Sequence, residues 1–107
     1  YPYEEIRKRR PDFANLKANH FLDLLPIESI KSLPPLRSGN TPLYAMPQLN
    51  HKTLSSRVFI KDDSQNPTYS FKDRASTLVS AFAKEYDIDT IVAASTGNAG
   101  SSLAGIC

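Results

Sequence analysis

Apolar and polar positions are distributed differently in the two halves of the chain. Before residue 57, prolines interrupt the sequence and the periodic stretches are short. The clearest of them, PIESIKSL at residues 26–33, predicts about two helical turns that end at the following pair of prolines. Later segments are longer and more regular. We therefore expect an N-terminal arm and lead-in over residues 1–55 and the beginning of a folded domain over residues 56–107.

Four elements are predicted in the second half. RVFIK at residues 57–61 is typical of a strand, and residues 71–86 carry apolar side chains at helical spacing. The run near residues 90–94 is continuously apolar, and a second helix is expected from about residue 101. This order predicts an α/β fold with two parallel strands and a right-handed crossover helix between them. The side chains expected to share a core are Leu78, Phe82, Ile91 and Val92.

The length allows one small domain, because the chain has 107 residues. It starts with Tyr1 rather than methionine and stops at Cys107 inside a helix-like run, so we expect a fragment of a longer protein. A truncated sheet has an unpaired edge and an uncovered apolar face. Alone, the fragment is expected to be marginally stable, to self-associate, or to be ordered only within a larger assembly.

Charge and hydropathy exclude several classes of partner. The formal net charge of +2 gives no support for nucleic-acid binding, and the basic run IRKRR at residues 6–10 is expected to be a solvated face. No apolar stretch approaches the roughly 20 residues that span a bilayer, so no membrane association is expected.

Cysteine and histidine usage is also informative. The single cysteine cannot form an internal disulfide, which excludes a disulfide-stapled secreted domain and favours a cytoplasmic location. His20 and His51 lack partners at ligand spacing. No metal site is therefore expected.

Lys72 is the first candidate for chemistry. It lies in NPTYSFKDRAS, residues 66–76, in the first turn of the predicted helix. The positive potential of a helix start favours the neutral amine, which is the form that attacks an aldehyde carbon to make an imine. The alternative is an exposed lysine that pairs with Asp73 or Asp63.

A second candidate site is ASTGNAG, residues 94–100, between the predicted buried strand and the second helix. Hydroxyl, amide and backbone N–H groups at the carboxyl end of a parallel strand are suited to binding a small anion. The alternative is a plain helix cap with glycines for the turn. The segment matches neither the phosphate-binding P-loop nor the dinucleotide fingerprint.

Four motifs together resemble a known family. FLDLLPI, SGNTPL, KDDSQNPTYSFKDRAS and ASTGNAGSSLA occur in this order over residues 21–107, as in the N-terminal part of the threonine synthases. These belong to the fold-type II enzymes, which have a tryptophan synthase β-like architecture and use pyridoxal 5′-phosphate. The resemblance implies conversion of O-phospho-L-homoserine and water to L-threonine and phosphate, the last step of threonine biosynthesis. It also implies a parent that is a monomer or a homodimer.

The resemblance implies roles for individual residues. Lys72 would be catalytic and would hold the cofactor as an imine, and Asn98 would hydrogen-bond the cofactor's 3′ oxygen. Phe71 and Tyr69 are placed to wall the site, and the alternative for both is plain packing. Asp73 and Arg74 are expected to fix the helix start by capping and charge pairing. The loop that receives the substrate α-carboxylate would include Ser95, Thr96 and Ala99.

The chain departs from the family pattern at several points. Tyr69 stands where many relatives have glycine, and Arg37-Ser38 stands where they have glycine-glutamate. The glycine-rich cofactor-phosphate loop and the residue that faces the pyridine nitrogen are absent, so the 107 residues alone are expected to be inactive. Two alternatives stay open: another β-replacing lyase, such as a cysteate synthase or a cysteine synthase-like enzyme, and a non-catalytic relative that acts as a binding module.

Overall fold

The computed structural model describes residues 3–9 and 12–107. The first helix, α1 (Tyr3–Arg9), carries most of the predicted solvated run, and its Arg7, Lys8 and Arg9 are exposed as expected. Arg10, which ends that run, lies outside the described residues, as do the residues at positions 1, 2 and 11. Helix α2 (Phe13–Ala18) follows. It begins after Asp12, whose carboxylate accepts the Asn15 N–H at 2.7 Å.

The lead-in contains single 3₁₀ turns at Leu22–Leu24 and Ile30–Ser32. The two-turn helix predicted over residues 26–33 was wrong. Ser29 has an extended backbone, and the N–H groups of Glu28 and Ser29 donate to the Glu85 carboxylate at 2.8 and 2.9 Å. Because the distant Glu85 carboxylate satisfies these donors, residues 26–33 lie against the helix that carries Glu85 instead of forming a helix of their own.

A β-hairpin follows the lead-in and consists of β1 (Leu43–Leu49) and β2 (Lys52–Lys61), paired antiparallel. Its two-residue turn has positive φ at Asn50 and His51, as a type I′ turn requires. The predicted strand at residues 57–61 lies within β2 and is confirmed. The prediction overlooked β1, in which Pro47 lacks an N–H and coincides with an irregularity in the pairing.

The predicted parallel pair of strands is not formed. Among the described residues, β2 pairs with β1, and residues 90–94 belong to no strand. A strand needs a neighbour that exchanges backbone hydrogen bonds with it, and no described segment forms a ladder with this run. The shared core was wrong as well. Val92 is 90% exposed, and Phe82 is 38% exposed and stacks on Tyr86 with ring centroids 4.4 Å apart.

Two packed helices form the C-terminal third of the described chain. Helix α3 (Asp73–Glu85) confirms the prediction for residues 71–86, and α4 (Asn98–Ile106) begins slightly earlier than expected. A 3₁₀ turn at Asp63–Gln65 leads from the hairpin towards α3. The buried apolar side chains are few, and polar residues share the core with them; the apolar ones are Ile27, Ala81, Ala83 and Ile106. In the described ranges, no helix has the length and apolar character to cross a membrane.

Candidate functional site

Lys72 is the residue immediately before α3, with helical φ and ψ angles of −62° and −24°. Its N–H donates to Ser70 Oγ at 3.2 Å, and its carbonyl accepts the Ser76 N–H at 3.0 Å. The half-buried side chain places Nζ 4.5 Å from the centroid of the Phe71 ring. The backbone is therefore fixed on both sides of the lysine, and the amine lies over an aromatic face.

The expected alternative for Lys72, an ion pair with Asp63 or Asp73, is not formed. Asp63 pairs with Arg74, and Asp73 accepts hydrogen bonds from Thr68 and Ser102. Within the described ranges, no carboxylate lies at ion-pair distance from the Lys72 amine. The Lys72 amine is therefore not paired with any acid of the described residues.

Asp73 joins the Lys72 turn to α4 and has no exposed surface. Its carboxylate accepts the Thr68 N–H at 2.7 Å and the hydroxyl hydrogens of Thr68 and Ser102. Burial acts to raise the pKa of Asp73, but the hydrogen bonds from Ser102 and Thr68 outweigh it and hold the pKa below its usual value. Asp73 therefore holds the turn before α3 through Thr68 and Ser102, and not by the capping or charge pairing that the sequence predicted.

Arg74 holds the 3₁₀ turn Asp63–Gln65, which comes directly before the Lys72 loop at residues 66–72. Its Nε and Nη2 donate to the two Asp63 carboxylate oxygens at 3.0 and 2.7 Å, and Nη2 also donates to Thr41 Oγ1 at 3.1 Å. Hydrogen bonds from Arg74 and Thr41 lower the pKa of Asp63 to about 2. The charge pairing expected for Arg74 is thus confirmed. Through Thr41 it also fastens the SGNTPL segment to the Lys72 loop.

Asn66 makes a second connection between the same two segments. Its side chain is 2% exposed, accepts the Gly39 N–H at 2.8 Å and donates to the Asp63 carbonyl at 3.0 Å. Gly39 has a φ of +80°, and an added Cβ would lie 3.0 Å from Nη1 of Arg74. Only glycine fits this position without strain. Asn66 and Thr41 lie in two of the quoted motifs, but no local pattern in the sequence indicates that they connect these segments.

The ASTGNAG loop leads directly into α4. Ser95 Oγ accepts the Gly97 N–H at 3.2 Å, and Gly100 packs so closely that a Cβ there would lie 3.1 Å from the Ser95 carbonyl oxygen. The first N–H groups of a helix have no acceptor inside it, which leaves donors at Asn98 and Ala99. The expected binding residues at this end of α4 are all exposed: Ser95, Thr96, Asn98 and Ala99.

The structure brings the two candidate segments onto neighbouring elements. Besides the bond from Ser102 to Asp73, α4 approaches Thr68 so closely that a Cβ at Gly105 would lie 2.6 Å from its methyl carbon. No hydrogen bond joins Lys72 to Asn98 among the residues described. In residues 3–9 and 12–107, no three or more side chains of His, Cys, Asp or Glu form a group that could hold a metal ion.

Comparisons with known proteins agree with the motifs. The family model described as pyridoxal-phosphate dependent enzyme matches residues 35–107. The chain is 33% identical to a threonine synthase of Methanocaldococcus jannaschii, over 97% of this chain and 27% of that protein. It is 40% identical to a threonine synthase of Synechocystis, over 75% of this chain and 21% of that protein. The predicted resemblance is confirmed.

A relative with another name also matches. The chain is 37% identical to a 2-amino-4-ketopentanoate thiolase beta subunit from an unknown prokaryotic organism, over 62% of this chain and 16% of that protein. No solved structure matches. The chain spans about a quarter of the length of the first curated relatives that it matches.

Proposed function

Because the chain belongs to the pyridoxal-phosphate dependent enzymes, whose cofactor is pyridoxal phosphate, we propose that it is the lysine-bearing part of a threonine synthase. The enzyme would convert O-phospho-L-homoserine and water to L-threonine and phosphate. The C–O bond at the substrate Cγ breaks to release phosphate, and the oxygen of water adds at Cβ. The likeness to several threonine synthases at 33–40% identity supports this substrate.

The side chains at hand fit the cofactor. Lys72 offers a primary amine over the Phe71 ring, with no carboxylate partner in the described part of the chain. Asn98 and the first N–H groups of α4 offer donors for anionic atoms. The Lys72 amine is the observation that carries the proposal.

Each candidate residue has a role that its chemistry supports. Pyridoxal phosphate, when bound, supplies the electron sink that stabilises a carbanion at the substrate Cα. Lys72 Nζ would hold the cofactor aldehyde carbon covalently, with one water released. Once the substrate amine takes that place, the free Nζ would remove the Cα proton and return it. Asn98 would donate to the cofactor's 3′ oxygen, and Phe71 would wall the site. The groups at the start of α4 would receive the substrate carboxylate: Ser95, Thr96 and Ala99.

The larger architecture is part of the same proposal. Residues 56–107 would begin a cofactor-binding domain of fold-type II, residues 1–55 would be its lead-in, and residues 90–94 would pair in a parallel sheet of the whole enzyme. The 107 residues alone would be inactive, because the cofactor phosphate needs a loop that they lack. The whole enzyme would be a monomer or a homodimer. A cytoplasmic location is proposed from the single cysteine.

The likeness to the thiolase beta subunit supports a second candidate within the family. Another pyridoxal-phosphate enzyme would keep Lys72 and Asn98 and would change only the substrate. Incubation of the full-length protein with O-phospho-L-homoserine separates the two candidates. Threonine and phosphate formed in equal amounts support the first, and their absence from a protein that still binds the cofactor supports the second.

The role of Lys72 is tested by borohydride reduction of the cofactor-loaded, full-length protein, followed by peptide mapping. We expect the pyridoxyl label on Lys72, and Lys72→Ala should abolish both the visible absorbance of the cofactor and turnover. Asn98→Ala removes one hydrogen bond of about 0.5–1.5 kcal/mol and should weaken cofactor binding only roughly two- to twelve-fold. Lys84→Ala, at an exposed lysine of α3, is the matched control and should change neither the visible absorbance of the cofactor nor turnover. A label on Lys61 or Lys84 would contradict the assignment.

A further inference from the structure

A buried carboxylate in the first candidate segment contacts α4, the helix that follows the second candidate segment. Asp73 is the first residue of α3, its side chain has no exposed surface, and it immediately follows Lys72. A buried carboxylate requires hydrogen-bond donors to offset its lost hydration. The origin of those donors shows which segments Asp73 holds.

The first two donors come from the turn that precedes Lys72. The Thr68 N–H donates to the Asp73 carboxylate at 2.7 Å, and the Thr68 hydroxyl donates to it as well. The Asp73 N–H in turn donates to the Ser70 carbonyl at 3.2 Å. The bond from the Thr68 N–H to the Asp73 carboxylate spans five residues and closes a turn that includes Tyr69 at a φ of +58°. The carboxylate therefore defines the path of the backbone on which Lys72 lies.

The third donor comes from α4, the helix into which the ASTGNAG loop leads. Ser102 belongs to α4, about one helical turn after Asn98. Its side chain is completely buried, and its hydroxyl donates to Asp73 and lies 2.7 Å from Ser76 Oγ. The middle of α4, one turn after Asn98, is therefore attached to the start of α3 through the same carboxylate that closes the Lys72 turn.

We propose that Asp73 is a positioning residue that sets the distance between Lys72 and Asn98 through its bonds to Thr68 and Ser102. This inference rests on the proposed function, in which Lys72 Nζ and the Asn98 amide would hold two neighbouring substituents of one rigid cofactor ring, the aldehyde carbon and the 3′ oxygen. The two side chains must keep a fixed separation for this task, and they belong to different helices. A shared, buried anion provides that constraint, because each donor loses a charge-assisted hydrogen bond if either segment shifts.

The test uses the pH midpoint of the visible absorbance of the bound cofactor in the full-length protein. A hydrogen bond from Asn98 draws negative charge from the 3′ oxygen, which shares a proton with the Lys72 nitrogen. Loss or misplacement of Asn98 should therefore raise the midpoint. We expect Ser102→Ala to raise it by several tenths of a pH unit, in the same direction as Asn98→Ala. The matched control is Ser101→Ala, at an exposed serine of the same helix, which should leave the midpoint unchanged.

A double-mutant cycle separates positioning from general destabilisation. If Ser102 acts through the position of Asn98, Ser102→Ala should have no further effect on the midpoint once Asn98 is alanine. Thr68→Val tests the other half of the link and should also shift the midpoint. Asp73→Asn keeps the shape of the side chain and serves as a second test if an alanine variant fails to fold.

The failure of this inference differs from the failure of the proposed function. A pyridoxyl label on Lys72 combined with wild-type midpoints in Ser102→Ala, Thr68→Val and Asp73→Asn would overturn the role of Asp73 and leave the function standing. Additive shifts in the cycle would also overturn it. A label on another lysine, or no bound cofactor, would overturn both.

Discussion

At the scale of single residues, the turn that carries Lys72 is held by groups other than the lysine amine. Ser70 Oγ accepts its N–H, the Ser76 N–H donates to its carbonyl, and the neighbouring Asp73 closes the turn onto Thr68. Loss of the Lys72 side chain should therefore leave the backbone in place. A Lys72→Ala variant reports on chemistry rather than on folding.

Gly39 is the residue for which the geometry predicts a measurable effect on stability. Its φ of +80° is unfavourable for any residue with a Cβ, and that Cβ would lie 3.0 Å from the Arg74 guanidinium. Gly39→Ala should lower the free energy of unfolding of the full-length protein by roughly 1–2 kcal/mol, as measured by denaturant titration.

Gly97→Ala is the matched control for this measurement. Gly97 has an extended backbone with a φ of −139°, and no atom lies within 4 Å of where its Cβ would be. Gly97→Ala should therefore change the free energy of unfolding only slightly. Equal losses of stability in the two variants would show that neither the backbone angle nor the close approach to Arg74 matters at Gly39.

Residue-level prediction from the sequence succeeded where the partners are local. The charge pairing of Arg74 was expected from its place in the first turn of α3, and it is formed with Asp63. The bond from Arg74 to Thr41 could not be foreseen, because 33 residues separate the two and their contact depends on the path of the whole hairpin. The same reason applies to the bond from Ser102 to Asp73.

At the scale of elements, α3 was predictable and β1 was not. The apolar spacing of residues 73–85 specifies a helix that forms its hydrogen bonds internally. A strand instead needs a partner. Because β1 contains Pro47, it resembles the proline-containing lead-in and was not predicted as a strand. The apolar run at residues 90–94 shows the converse, because its composition favours a strand but the described residues provide no partner.

The C-terminal end of α3 organises the lead-in through Glu85. Its carboxylate accepts the N–H groups of Glu28 and Ser29 and the Ser32 hydroxyl, the last at 2.7 Å. In the full-length protein, Glu85→Ala should release this segment. The backbone amides of residues 28–32 should then exchange hydrogen at least several-fold faster, while those in the middle of α3 keep their protection.

Lys84→Ala is the control for this exchange experiment, because Lys84 is the exposed neighbour of Glu85 on the same helix. It should leave both segments as in the wild type. Unchanged protection of residues 28–32 in Glu85→Ala would mean that contacts other than this carboxylate hold the lead-in on α3.

At the scale of the whole molecule, many large apolar side chains stay exposed, including those on two separate surfaces. One is the hairpin, where Leu43 is 61% and Phe59 55% exposed. The other surrounds a cavity of about 440 Å³ between α3, residues 88–93 and α4, next to which Val92 is 90% exposed. From the sequence we expected an uncovered apolar face on a truncated parallel sheet; the exposed surfaces lie instead on the hairpin and beside the cavity. Their coverage depends on strand neighbours that no local pattern can identify.

These exposed surfaces determine how the 107-residue chain should behave when it is purified alone. Apolar patches of this kind favour association, and the buried core that opposes unfolding is small and partly polar. We expect a sedimentation coefficient and a thermal transition that both rise with protein concentration. Val92→Lys and Phe59→Lys place a charge on one surface each, so the variant that more strongly reduces the association identifies the surface responsible. A sharp melt of a monomer, unchanged over a hundred-fold range of concentration, would contradict the prediction and would show that the helices and the hairpin are stable without further cover.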